Sequence, residues 1–159
     1  MQLKRYKFNE LHNESNREDR SLTKNKQSPP FLKNYDNLSQ VLVDRQLASL
    51  GDAYVNLVYS LALSKRKTRP YGAKVKGTTL AEALRKAGLR NLLPSRIDRH
   101  AISDAAEAII VYSWLHNLLT LEDSVQTIAE ADITENGLTQ LILKAKEKIR
   151  LSKLFPVPC

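Results

Sequence analysis

Apolar positions recur at three- and four-residue spacing along most of the chain. In "RQLASLGDAYVNLVYSLALS", residues 45–64, Leu47, Leu50, Tyr54, Leu57, Val58 and Leu61 share one side of a helical wheel, which predicts an amphipathic helix packed along that side. The same period runs from about Arg99 to Leu119 through Ala101, Ala105, Ala108, Tyr112, Leu115 and Leu119, and continues in a third segment with Leu121, Val125 and Ile128. Thr134 can cap a last helix whose stripe is Leu138, Leu141, Ile142, Ala145 and Ile149. A short helical turn is expected near Leu38 to Val43. Thr79 and Glu82 have capping-box spacing at the start of a helix that ends near Gly88, a C-cap. Pro70, Gly72 and Gly77 break the segment "KRKTRPYGAKVKG" into a loop, and Pro94 falls in the next connection. Ile109-Ile110-Val111 could suggest a strand, but the periodic segment around it is too long for one. The expected fold class is all-α, without internal repeats.

The chain's 159 residues, 42% of them apolar, suit one domain with a core of its own. Residues 1–30 are rich in Asn, Glu, Arg, Lys and Ser and close on Pro29-Pro30, a composition that cannot bury enough surface to fold alone, so a polar arm is expected there. The folded unit is expected over 31–153, with 154–159 as a tail. The longest run without a charged side chain, Ala108 to Leu121, is short of the ~20 residues of a membrane span. The N-terminus has basic residues but no apolar stretch behind them, so no secretory signal is expected. The single cysteine, Cys159, can form neither an internal disulfide nor a Cys-based zinc site, which fits a reducing cytoplasm.

Charge changes this picture. Residues 65–100 hold eleven Lys and Arg against two Asp and Glu, whereas residues 1–64 hold nine against seven and residues 101–159 five against eight. The excess of +8 therefore comes from one segment, and concentrated positive charge attracts polyanions. Nucleic acid is favoured over an acidic membrane because the segment is not a continuous amphipathic helix. The alternative is a solvated loop with no partner.

Two acidic features stand out against apolar helices. Gly51 costs a helix interior about 1 kcal/mol relative to Ala, and Asp52 beside it is costly to dehydrate unless something pairs with it. In "HAISDAAEAIIVYSWLHNLL", Asp104 and Glu107 lie three residues apart on one helix face, with β-carbons about 5–6 Å apart. No Lys or Arg occurs between Arg99 and Lys144, so intrahelical ion pairs cannot explain them. If the two helices pack with Asp52 facing Asp104 and Glu107, three carboxylates converge, and like charges in a partly dry site need a cation. Hard oxygen ligands suit Mg²⁺ or Mn²⁺. The small residues Ala48, Gly51, Ala53, Ala105, Ala106 and Ala108 would let the backbones approach. The alternative is that these acids are solvent-exposed positions on amphipathic helices.

"LASLGDAYV" resembles the signature helix of ribonuclease III, whose pattern ends in Leu-Gly-Asp-Ala. "SDAAEAIIVYSWL" resembles the family's second motif, Asp-x-x-Glu-Ala followed by apolar residues. Both occur in the family's order and with a similar separation, and the chain looks most like the small archaeal ribonuclease III-like proteins, with Mini-ribonuclease III as a relative. The resemblance implies a helical endonuclease domain forming a two-fold homodimer. It also implies that Asp52, Asp104 and Glu107 are both metal ligands and catalytic residues. The products implied are 5′-phosphate and 3′-hydroxyl ends on double-stranded or structured RNA. Lys74, Lys76, Arg96 and Arg99 lie nearest the matched motifs and are the candidates for phosphate contacts.

Three positions depart from the pattern. Full-length bacterial enzymes have Glu where this chain has Ala48, a bulky aromatic at Ser49 and another Glu at Arg45; Mini-ribonuclease III also lacks the first of these. The leading expectation is thus a metal-dependent endoribonuclease. Its alternatives are a weak or inactive RNA-binding protein on the same fold and a DNA-binding helical regulator. His12, His100 and His116 have no mutual metal-ligand spacing, and Tyr112 and Trp114 are expected as core or dimer contacts.

Overall fold

A computed structural model describes residues 28–155. The expected arm lies almost wholly outside these residues, as do Cys159 and most of the expected tail. Among the described residues there are six α-helices and no strand: α1 (Leu38–Leu42), α2 (Arg45–Lys67), α3 (Gly77–Lys86), α4 (Arg99–Leu115), α5 (Leu121–Glu130) and α6 (Thr134–Ser152). A single 3-10 turn, Arg90–Leu92, joins α3 to α4. Among the described residues no helix is long and apolar enough to cross a membrane.

Local chemistry sets most of the boundaries. Asp44 starts α2 by accepting from the N–H groups of Gln46 and Leu47, and Asp98 starts α4 by accepting from Ala101 N–H. Thr120 and Asp123 form a reciprocal capping box on α5. Gly88 ends α3 at φ 75°, with Leu89 N–H returning to the carbonyl of Leu84. α4 stops at Leu115, short of the expected Leu119. Asn117 turns left-handed at φ 56°, and Leu118 N–H bonds back to Ser113 O at 2.9 Å, closing the helix by the same device without a glycine.

α4 is the centre of the molecule. From Ile102 to Leu115 nearly every side chain is buried, as befits a helix covered on all sides. α2, α3, α6 and the short α1 pack around it, and α5 rests against α2 and α6. The expected stripe of α6 is buried throughout. Leu154 and Phe155 continue past α6 onto the core, Phe155 lying parallel to Tyr112 at 6.1 Å.

Three expectations are corrected. The stripe expected for α2 divides: Leu47, Tyr54 and Val58 are buried, but Leu50, Leu57 and Leu61 are 40%, 49% and 38% exposed. The packed face includes Ala48, Gly51, Val55 and Ala62 instead, because α2 meets α4 through its small residues. Thr79 and Glu82 do not cap α3. That helix begins at Gly77, with Lys76 as its cap residue and no side-chain cap bond, and Glu82 instead pairs with Arg85 at 3.4 Å. Finally, Thr134 is the first helical residue of α6 rather than its cap, and Ile133 takes the cap position.

Candidate functional site

α2 and α4 come together at Gly51. A β-carbon placed there would lie 2.4 Å from the carbonyl oxygen of Glu107 and 2.6 Å from its carbonyl carbon, so any side chain would drive into the α4 backbone. This contact explains a glycine in mid-helix. It also places the next residue, Asp52, beside Glu107. The two carboxyl groups are close enough to hydrogen-bond when one holds a proton. Glu107 is buried, Asp104 one turn earlier is half-buried, and Asp52 is exposed at the edge of the crossing.

The electrostatics follow from that crowding. Burial, then the charges of Asp52 and Asp104, push the Glu107 carboxyl up to about 8. Burial also raises Asp104, opposed by the nearby positive charges of Arg45 and His100. Arg45 and Asp104 share the lining of a cavity of about 200 Å³, walled by Leu42, Leu93, Pro94 and Ile97. Among the described residues, no group of three or more His, Cys, Asp or Glu side chains is arranged as a metal site. What meets is the Asp52–Glu107 pair, with Asp104 within electrostatic range. Crowded carboxylates, one of them buried and reluctant to ionise, are the donor set that a hard divalent cation would relieve.

A polar row leads away from Asp52 along α2. Asn56 Nδ2 donates to Asp52 Oδ1 at 3.0 Å, and Asn56 Oδ1 accepts from Val75 N–H at 2.9 Å. One turn on, the Ser60 hydroxyl accepts from Ala73 N–H and donates to the Ala73 carbonyl, both at 3.0 Å. Another turn on, Ser64 Oγ accepts from Tyr71 N–H at 2.8 Å. Four helical residues advance about 6 Å and two extended residues slightly more, so every fourth side chain of α2 meets every second residue of the loop. The loop is thereby held against α2, and its alternate residues Lys74 and Lys76 are exposed.

A family model described as ribonuclease III matches residues 45–155. The chain belongs to the ribonuclease III family. None of the curated proteins matches it. Family membership points to a nuclease acting on RNA.

The positions that depart from the ribonuclease III pattern have distinct surroundings. Ala48 is buried, Ser49 is exposed, and Arg45 is an exposed cation beside Asp104. Lys74, Lys76, Arg96 and Arg99 are all exposed and, among the described residues, form no ion pair. The rest of the basic segment is partly consumed inside the domain. Arg66 donates to the carbonyls of Ile128 (2.7 Å), Ala129 (2.9 Å) and Ala131 at the end of α5. Arg90 holds the carbonyls of Pro94 and Ser95 at 3.0 Å each, and Lys86 pairs with Glu135 on α6. Tyr112 is buried, whereas Trp114 is 38% exposed and stacks on Tyr54 at 4.6 Å. Sequence reasoning missed Asn56, although the row Asp52, Asn56, Ser60, Ser64 is visible as a four-residue period of polar side chains.

Proposed function

We propose that this chain is a metal-dependent endoribonuclease that hydrolyses phosphodiesters of double-stranded or structured RNA, leaving 5′-phosphate and 3′-hydroxyl ends. The observation that carries the reading is the approach at Gly51, which sets Asp52 against the buried Glu107 with Asp104 nearby. Asp52, Asp104 and Glu107 would hold Mg²⁺ or Mn²⁺, and Glu107 would give up its carboxyl proton on doing so. Bound there, the ion would lower the pKa of a water and neutralise charge on the attacked phosphate. Lys74 and Lys76 on one side, and Arg96 and Arg99 at the entrance to α4, are the cations available to backbone phosphates. Duplex RNA is read largely through shape, phosphates and 2′-hydroxyls, so weak sequence preference is expected.

The acting form in this reading is a homodimer. Leu50, Leu57 and Leu61 lie seven and four residues apart along one stripe of α2 and are exposed. Such a stripe suits a second copy of the same helix, and each site would then serve one strand of a duplex. Within the family, Ala48 is a feature that this reading shares with Mini-ribonuclease III, which also lacks the Glu at that position.

A second reading, an RNA-binding protein with weak or no cleavage, is favoured by Ala48, buried where full-length bacterial enzymes carry a Glu one turn before the position of Asp52. Labelled duplex RNA incubated with Mg²⁺ or Mn²⁺ separates the two. Cleavage by the wild type that disappears in Asp52→Asn and in Glu107→Gln supports the first reading, and cleavage that survives both substitutions refutes the site. Binding without cleavage by the wild type supports the second.

A further inference from the structure

The amide of Asn56 has two ends with two different tasks. Val75 N–H can only donate, so the amide oxygen must face it, and the NH₂ is then turned to Asp52, whose carboxylate accepts. An Asp and an Asn four residues apart on a helix often pair with no further consequence. Here the same Asn also fixes the backbone between Lys74 and Lys76, and the serine rungs at Ser60 and Ser64 fix the loop behind them. Lys76 is extended (φ −71°, ψ 133°) and leads directly into α3, whose first residue, Gly77, packs beside Ser103, the neighbour of Asp104. The two exposed lysines are therefore tied to the acidic crossing from both directions.

We propose that Asn56 is a positioning residue that sets the Asp52 carboxylate and the Lys74–Lys76 cations with one side chain, so that the RNA backbone is gripped in register with the site that cuts it. The proposal rests on the endoribonuclease reading above. Asn56 touches no reacting atom in it. Losing the amide releases one carboxylate oxygen and unlatches the cationic loop together, which links binding to turnover.

The test compares wild type, Asn56→Ala, Ser60→Ala and the double swap Asp52→Asn with Asn56→Asp, all of the same net charge. Three quantities are measured: Kd for labelled duplex RNA in EDTA across a salt series, hydrogen exchange at the Val75 amide, and kcat in Mg²⁺. Asn56→Ala is expected to speed Val75 exchange, to raise Kd about fivefold, the equivalent of one hydrogen bond, and to flatten the salt dependence by about one charge. Its kcat should fall roughly tenfold or more through misplacement of Asp52. Ser60→Ala leaves the Asn56–Asp52 bond in place and is expected to raise Kd. The double swap keeps an acceptor for Val75 N–H, so its Kd and Val75 protection should match wild type while cleavage is lost. Asn56→Ala that matches wild type in Kd and in Val75 exchange overturns the proposal, as does a double swap that binds no better than Asn56→Ala. A wild type that binds duplex RNA but does not cut it defeats the endonuclease reading alone, because Kd and exchange still decide whether Asn56 latches the loop. A wild type that does not bind RNA defeats both.

Discussion

Replacing Glu107 by Gln should change stability in a way that depends on pH. The folded chain holds the Glu107 proton up to about 8, against an ordinary value of 4.5. Between these values the unfolded chain binds fewer protons than the folded one, so stability falls as pH rises through the window. The contribution is fully present below 4.5 and lost above about 8. Each tenfold change in proton affinity is worth about 1.4 kcal/mol, which sets an unscreened ceiling of about 5 kcal/mol; solvent at the open edge of the crossing reduces this to about 2 kcal/mol. Gln cannot ionise and keeps a donor for Asp52, so it imitates the protonated acid at every pH. Urea unfolding followed by circular dichroism in EDTA should therefore find the two proteins alike at pH 4, below the ordinary value. At pH 8 Glu107→Gln should be the more stable by about 2 kcal/mol, or roughly 5–10 °C in Tm. Adding Mg²⁺ at pH 8 should then raise the wild type alone, by about 2.7 kcal/mol at a hundred times Kd. A gap between the two proteins that is the same at pH 4 and pH 8 would refute the account of a buried, charge-crowded carboxyl.

Gly51→Ala should cost at least about 2 kcal/mol in urea unfolding, because the new β-carbon meets main-chain atoms that cannot rotate away; a loss under about 0.5 kcal/mol would mean that the helices do not cross there. Arg66→Ala should cost about 2 kcal/mol and expose the α5–α6 connection to protease, since three carbonyls lose their donor; unchanged proteolysis would argue against that role. Leu57→Glu should leave the fold intact, as the side chain is half exposed, but yield a monomer in sedimentation analysis. A dimer that persists would move the interface away from the leucine stripe.

The sequence by itself determined the helical class and most helix boundaries. Spacing of apolar side chains and short-range caps are properties of neighbouring residues, and Asp104 and Glu107 share a face on any regular helix. It could not say which side of α2 is buried. Leu50, Leu57 and Leu61 have the same period as Leu47, Tyr54 and Val58, and only the close passage at Gly51 turned the small residues inward and left the leucines out. Nor could it show where α3 starts. Thr79 has the right chemistry for a cap, but the latch of Val75 to Asn56 delivers the chain to Gly77 already placed for the helix. The same holds for Arg66 and Arg90. Their partners are largely main-chain carbonyls, which every residue carries, so no side-chain pattern identifies them before the helices are packed. Asn56 belongs to a visible polar row, but its partner at Val75 is a main-chain N–H that only the packed loop supplies.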